Sequence, residues 1–95
     1  MGFAYVVGQV SVKDAEKWAE YQQRVPETFG PWGCEPVLRG KQIAALSGSC
    51  PHPAVVVLRF PGPEALKGWF ESPAYQALIP LRDAAADVVL TAYEG

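Results

Sequence analysis

The chain has 95 residues, enough for one domain with one modest core. Half of it is apolar and its net charge is −2, so it lacks the basic footprint that nucleic-acid binding requires. Two cysteines and one histidine are too few for a disulfide scaffold or a dedicated zinc site, and neither cysteine sits in a CxxC. No metal or cofactor is expected. No apolar run approaches the ~20 residues that span a bilayer. The opening "MGFAYVVGQV" has no basic stretch or cleavage site, so the expectation is a cytoplasmic protein.

The β-branched and aromatic content of "FAYVVGQV", residues 3 to 10, predicts a strand. Asp14 is a candidate N-cap, and a helix is expected from about Ala15 to Phe29. Its predicted inner face carries Ala15, Trp18, Val25 and Phe29, with Ala19 and Gln22 close by. Pro26 should kink its last turn. "EPVLRGKQIAALSG", residues 35 to 48, reads as two short extended pieces with a bend or bulge at Gly40. "SCPHP" reads as a loop and "AVVVLRF", residues 54 to 60, as the clearest strand.

Pro63 suits the first position of a second helix. Ser72 and Pro73 repeat the start signal, and Pro80 should distort the helix that follows. "VVLTAY", residues 88 to 93, is the last predicted strand. The order β-α-β-β-α-β predicts an α+β, ferredoxin-like fold: a four-stranded antiparallel sheet with helices on one face.

A sheet with one wet face should alternate apolar and polar residues. These strands do not. Val55 and Val57 oppose Ala54, Val56, Leu58 and Phe60, while Phe3, Tyr5 and Val7 oppose Ala4, Val6 and Val10. Helices can cover only one face, and a bare apolar face of that size is unusual in a monomer. A second copy packing sheet against sheet is the expected cover, which makes the partner the chain itself.

On "WAEYQQRVP", "VLRG", "VVVLRFPGPEALKGWFESPAYQALIPLR" and "ADVVL", the chain resembles the DUF1330 family over nearly its whole length. The spacing of Tyr21, Arg39-Gly40, Phe60-Pro61, Trp69, Ser72-Pro73, Tyr75 and Arg82 carries that resemblance. It implies one domain over residues 1–95 that dimerises as a dimeric α/β barrel, and it implies no settled activity. Two positions depart from the family's usual pattern: Arg59 and Ser47 stand where carboxylates are usual.

The candidate ligand-binding residues are Tyr21, Arg39, Arg59, Trp69, Tyr75 and Arg82. Arginines near a cleft can grip a carboxylate or phosphate through paired N–H donors. Tyrosines can bury a ring while bonding the hydroxyl. Arg82 falls on one helical stripe with Tyr75, Leu78 and Ile79. It is either a cation at a helix end or a group aimed into a cleft, and adjacent Asp83 is expected to point elsewhere. His52, between two prolines, reads as a loop residue without an identifiable partner. No Ser-His-Asp, P-loop, GxGxxG or HExxH signature is present.

Three readings of function follow. The first is a small homodimer that binds an anionic or aromatic ligand between sheet and helices. The second is a cofactor-independent monooxygenase or isomerase acting on an aromatic or lactone substrate. The third is an interaction module with no small ligand.

Overall fold

The structure is a computed structural model and describes residues 2–95. Strand β1 (Ala4–Val12) leads into helix α1 (Ala15–Arg24), and two single 3₁₀ turns (Val25–Thr28 and Gly30–Trp32) lead on to β2 (Glu35–Lys41). Then come β3 (Ala54–Phe60), α2 (Pro63–Glu71), two short helices α3 (Pro73–Gln76) and α4 (Ile79–Ala85), and β4 (Ala86–Glu94). The strands lie in the order β2-β3-β1-β4, and every neighbouring pair is antiparallel. This is the expected ferredoxin-like arrangement.

Prolines set the breaks. Pro26 has no N–H and its ring crowds the carbonyl four residues back, so α1 stops at Arg24 rather than running to Phe29. Pro80 acts the same way on Gln76, where α3 ends, and the chain restarts as α4. The expected caps are present. Asp14 accepts from the Lys17 amide at 3.1 Å, and Ser72 Oγ accepts from the Tyr75 amide at 3.2 Å.

Three expectations need correction. The buried stripe of α1 runs through Trp18, Tyr21, Gln22 and Val25, while Ala15 and Ala19 are exposed. Tyr21 and Gln22 stand three and four residues beyond Trp18, the spacing that shares a helix face. Residues 35 to 48 do not make two extended pieces, because β2 ends at Lys41. The irregularity in β2 lies between Pro36 and Leu38, not at Gly40.

The core fills the space between the helices and one face of the sheet. Ala4 and Val6 of β1, Leu58 and Phe60 of β3, Leu66 and Trp69 of α2, and Tyr75 and Leu78 form its centre. The Trp69 ring lies 4.2 Å from Tyr75, 5.3 Å from Phe60 and 6.3 Å from Phe29, centroid to centroid. These distances and tilts suit aromatic rings. Gly68 sits in mid-helix, where glycine usually costs stability, because the Trp32 ring lies where a Cβ would go.

Candidate ligand-binding cleft

α1 lies over the sheet without filling all the space beneath it. The gap is a cleft of about 120 Å³, floored by Val6, Gly8, Val56 and Leu58 and roofed by Trp18, Tyr21, Gln22 and Val25. Its polar groups are few. Tyr21 comes from α1, Tyr75 from α3 and Arg39 from β2. A larger groove of about 480 Å³ runs between α2 and β4 and shares Val6, Trp69, Val88 and Leu90 with the cleft. Arg82 lines this second groove.

The three residues Tyr21, Tyr75 and Arg82 form one chain of hydrogen bonds. Arg82 Nη1 donates to the Tyr75 hydroxyl at 3.0 Å, and that hydroxyl lies 2.9 Å from the hydroxyl of Tyr21. Donor arithmetic favours one direction. Arginine only donates, so Tyr75 accepts from it. Tyr75 is fully buried, and its own proton has Tyr21 as its acceptor; pointed elsewhere it would be stranded, at a cost of about 1–3 kcal/mol. In that arrangement the Tyr21 proton is not taken up by Tyr75, and Tyr21 lines the cleft.

The electrostatics agree with a neutral donor there. Burial pushes the pKa of Tyr21 well above the phenol's ordinary value. Tyr21 keeps its proton and serves as a hydrogen-bond donor rather than a base. Burial works against the charge of Arg82, but its hydrogen bonds to Tyr75 and Asp83 outweigh this and raise its pKa. The Arg82 side chain is 13% exposed, and its Nε and Nη2 both reach Asp83 Oδ1 at 3.1 Å. Asp83 therefore does pair with Arg82, against expectation. The arginine side chain is long enough to reach the carboxylate of its neighbour.

Trp69 is buried beside Tyr75, and its indole N–H donates to Thr28 Oγ1 at 2.8 Å. Thr28 in turn donates to the Val25 carbonyl at 2.7 Å, which ties the turn after α1 to α2. Thr28 was not singled out in the sequence, where nothing marks a threonine in a turn as the partner of a distant indole.

Arg39 reaches the mouth of the cleft because of the irregularity in β2. Pro36 pairs with Leu58 and Leu38 with Val57, so one extra residue, Val37, lies between two pairs that are adjacent on β3. The extra residue reverses the side-chain alternation. Arg39 then sits opposite Val56, on the helix side of the sheet, and it forms no ion pair among the described residues.

Arg59 does not belong to this cluster. It pairs in register with Tyr5, on the face turned away from the helices, where it bonds to Glu35 and lies 4.6 Å above the Phe3 ring. Glu35 supplies the carboxylate partner, and the Phe3 ring adds a cation–π contact. His52 is likewise remote from the cleft. It does have a partner, Ser11, whose Oγ lies 3.0 Å from Nδ1. Cys34 is a half-buried free thiol whose pKa burial pushes up to about 12, so it is no ready nucleophile.

A four-stranded antiparallel sheet with helices on one face and a cleft beneath them defines a ferredoxin-like α+β protein. The chain belongs to DUF1330, a domain of unknown function, whose family model matches residues 3–95. A comparison with curated proteins found no match. Among solved structures, a protein of unknown function from Rhodopseudomonas palustris superposes with a TM-score of 0.82 at 20% identity, covering 99% of this chain and 82% of that one. A dimeric ferredoxin-like protein of unknown function from Jannaschia sp. CCS1 gives 0.76 at 14% identity, covering 99% and 100%. SnoaB, a cofactor-independent oxygenase from Streptomyces nogalater, gives 0.72 at 9% identity, covering 100% and 94%. At these identities the likeness is one of fold. No described helix is long and apolar enough to cross a membrane.

Proposed function

We propose that this chain is a single-domain, cytoplasmic homodimer that binds a small single-ring molecule carrying a carboxylate or another acceptor oxygen. The observation that carries this reading is the Tyr21–Tyr75 hydroxyl pair in the lining of a mainly apolar cleft that Arg39 also borders. A ring would lie between Trp18 and the sheet, with its oxygen on Tyr21. A carboxylate at the other end would meet Arg39, and Arg82 would act through Tyr75 by orienting the donor.

Size narrows the ligand. An apolar cavity of roughly 150 Å³ is enough for benzene. At about 120 Å³ the cleft is of the order of a one-ring site, which favours a single-ring ligand over a polycyclic one.

The dimer reading rests on the open face of the sheet. Phe3, Leu38, Val89 and Tyr93 on it are large, apolar and exposed. The Jannaschia neighbour is described as dimeric, which supports the same assembly here.

The test uses 4-hydroxybenzoate with the full chain. Thermal stabilisation at millimolar ligand is expected, reduced at least about tenfold in affinity by Tyr21→Phe, which removes the donor, and by Arg39→Met, which removes the charge. Absence of any shift in the wild type, with no perturbation of tryptophan fluorescence, would sink the binding reading and leave the interaction module.

The second reading, cofactor-independent oxygenation of a ring in the same cleft, is favoured by the end-to-end likeness to SnoaB. Oxygen consumption with single-ring quinols, abolished in Tyr21→Phe, would turn the binder into an enzyme. With its raised pKa, Tyr21 keeps its proton and would orient the ring through a hydrogen bond in such chemistry, acting neither as acid nor as base.

A further inference from the structure

The connection between β2 and β3, residues 42–53, has no helix or strand of its own. Hairpin connections usually take 2–5 residues, and structureless ones of about this length are commonly functional. Its apolar side chains point into solvent. Ile43 is 99% exposed and Leu46 97%, and Ala44 and Ala45 between them are exposed too. Four consecutive apolar residues in open solvent is a pattern folded proteins keep for binding.

The loop is nevertheless held in place. Its base is closed by the Gln42 amide donating to the Pro53 carbonyl at 2.7 Å. Cys50 Sγ lies 3.7 Å from Gln9 Oε1, and His52 Nδ1 bonds Ser11 Oγ. Gln9 and Ser11 alternate with Val10 on β1, so they share the open face with Tyr5 and Val7. The loop is therefore rooted on the margin of the apolar face turned away from the helices.

We propose that residues 42–53 form an arm that packs Ile43 and Leu46 against a second copy of this chain. The arm rests on the homodimer reading above and adds a contact to it. When one face meets its copy across a two-fold axis, a segment rising from its margin runs along the partner's flank. Symmetry then makes each arm grip the other protomer, so two large side chains are buried at each of two equivalent sites. Composition favours this occupant over others. Residues 42–53 contain no Asp, Glu, Lys or Arg, and capture of nucleic acid or an anionic lipid surface relies on basic side chains. Ser11 and His52 fix the direction in which the arm leaves the sheet.

The experiment compares the full chain with the double variant Ile43→Asn, Leu46→Asn by sedimentation equilibrium. Both positions are solvent-exposed in the protomer, so the circular dichroism spectrum should not change. The dimer dissociation constant should rise by about a hundredfold or more, as expected when four large apolar side chains lose their burial. An unchanged constant in a dimeric wild type overturns the arm and leaves the sheet-face dimer standing. A monomeric wild type at micromolar concentration overturns both. A photo-reactive benzophenone amino acid in place of Leu46 gives a second readout. Cross-linked two-chain product is expected, and products confined to one chain overturn the proposal. Binding of the wild type to phosphatidylcholine vesicles, lost in the double variant, would likewise overturn it in favour of a lipid surface.

Discussion

The two faces of the sheet carry similar side chains and meet different fates. Beneath the helices, Val6, Val10, Leu58 and Phe60 are buried. On the other side Val7, Val55 and Val57 are only half-buried, and Val89 and Tyr93 are exposed. These apolar residues are of the same type, so the difference between them lies in what covers each face within the protomer. One face stabilises the fold, and the other holds apolar surface ready for assembly. The contrast also explains the cleft. A covered face that is not completely filled can hold a ligand, whereas an uncovered one can only hold a partner.

The largest effect should come from the covered face. Trp69→Ala removes the ring at the centre of the core and the indole donor to Thr28. A loss of about 3–5 kcal/mol is expected in urea unfolding, independent of protein concentration. Val57→Asp probes the open face. It should leave the protomer folded but weaken the dimer by about 3 kcal/mol or more, since pairing would bury two unmatched carboxylates. Sedimentation showing equal association in variant and wild type would erase the distinction between the faces.

A smaller effect is expected at the polar end of the cleft. Tyr75→Phe keeps the ring but removes the hydroxyl between Arg82 and Tyr21. The expected cost is about 1–3 kcal/mol, and a variant as stable as the wild type would show that water bridges the two groups.

The last prediction concerns pH. Tyr21 has a folded pKa raised above its ordinary value of 10.0. Its contribution to stability is complete below that value and is lost as pH rises above it, because the unfolded chain releases the proton first. One such group gives a slope of about 1.4 kcal/mol per pH unit. The half-buried thiol of Cys34 acts in the same direction from its ordinary value of 9.0, so the comparison is with Tyr21→Phe in the same buffers. Identical alkaline slopes in the two proteins would show that Tyr21 is not held neutral by the fold.

Local chemistry made much of the fold legible. The strand at 54–60, the helix start at Pro63 and the cap at Ser72 each follow from residues within a few positions. The cleft was harder to read. Strand alternation alone places Arg59 with Val55 and Val57, away from the helices, so its absence from the cleft was within reach of the sequence. The place of Arg39 was not, because it depends on the extra residue at Val37, and a bulge is fixed by pairing with a strand some twenty residues away. The bond between Asp83 and Arg82 was missed because helical spacing describes Cβ directions and not the reach of a long side chain.

The extra residue at Val37 and the proline before it have a further consequence. β2 and β4 are the two edges of the sheet, and an edge with free backbone groups invites another strand. Pro36 has no amide proton to offer, and the bulge beside it breaks the regular spacing a docking strand would need. Sideways growth is therefore blocked at the β2 edge. Strand pairing through β4 alone can join two molecules but cannot continue to a third, so an unpaired protomer has no route to an endless ribbon of sheets.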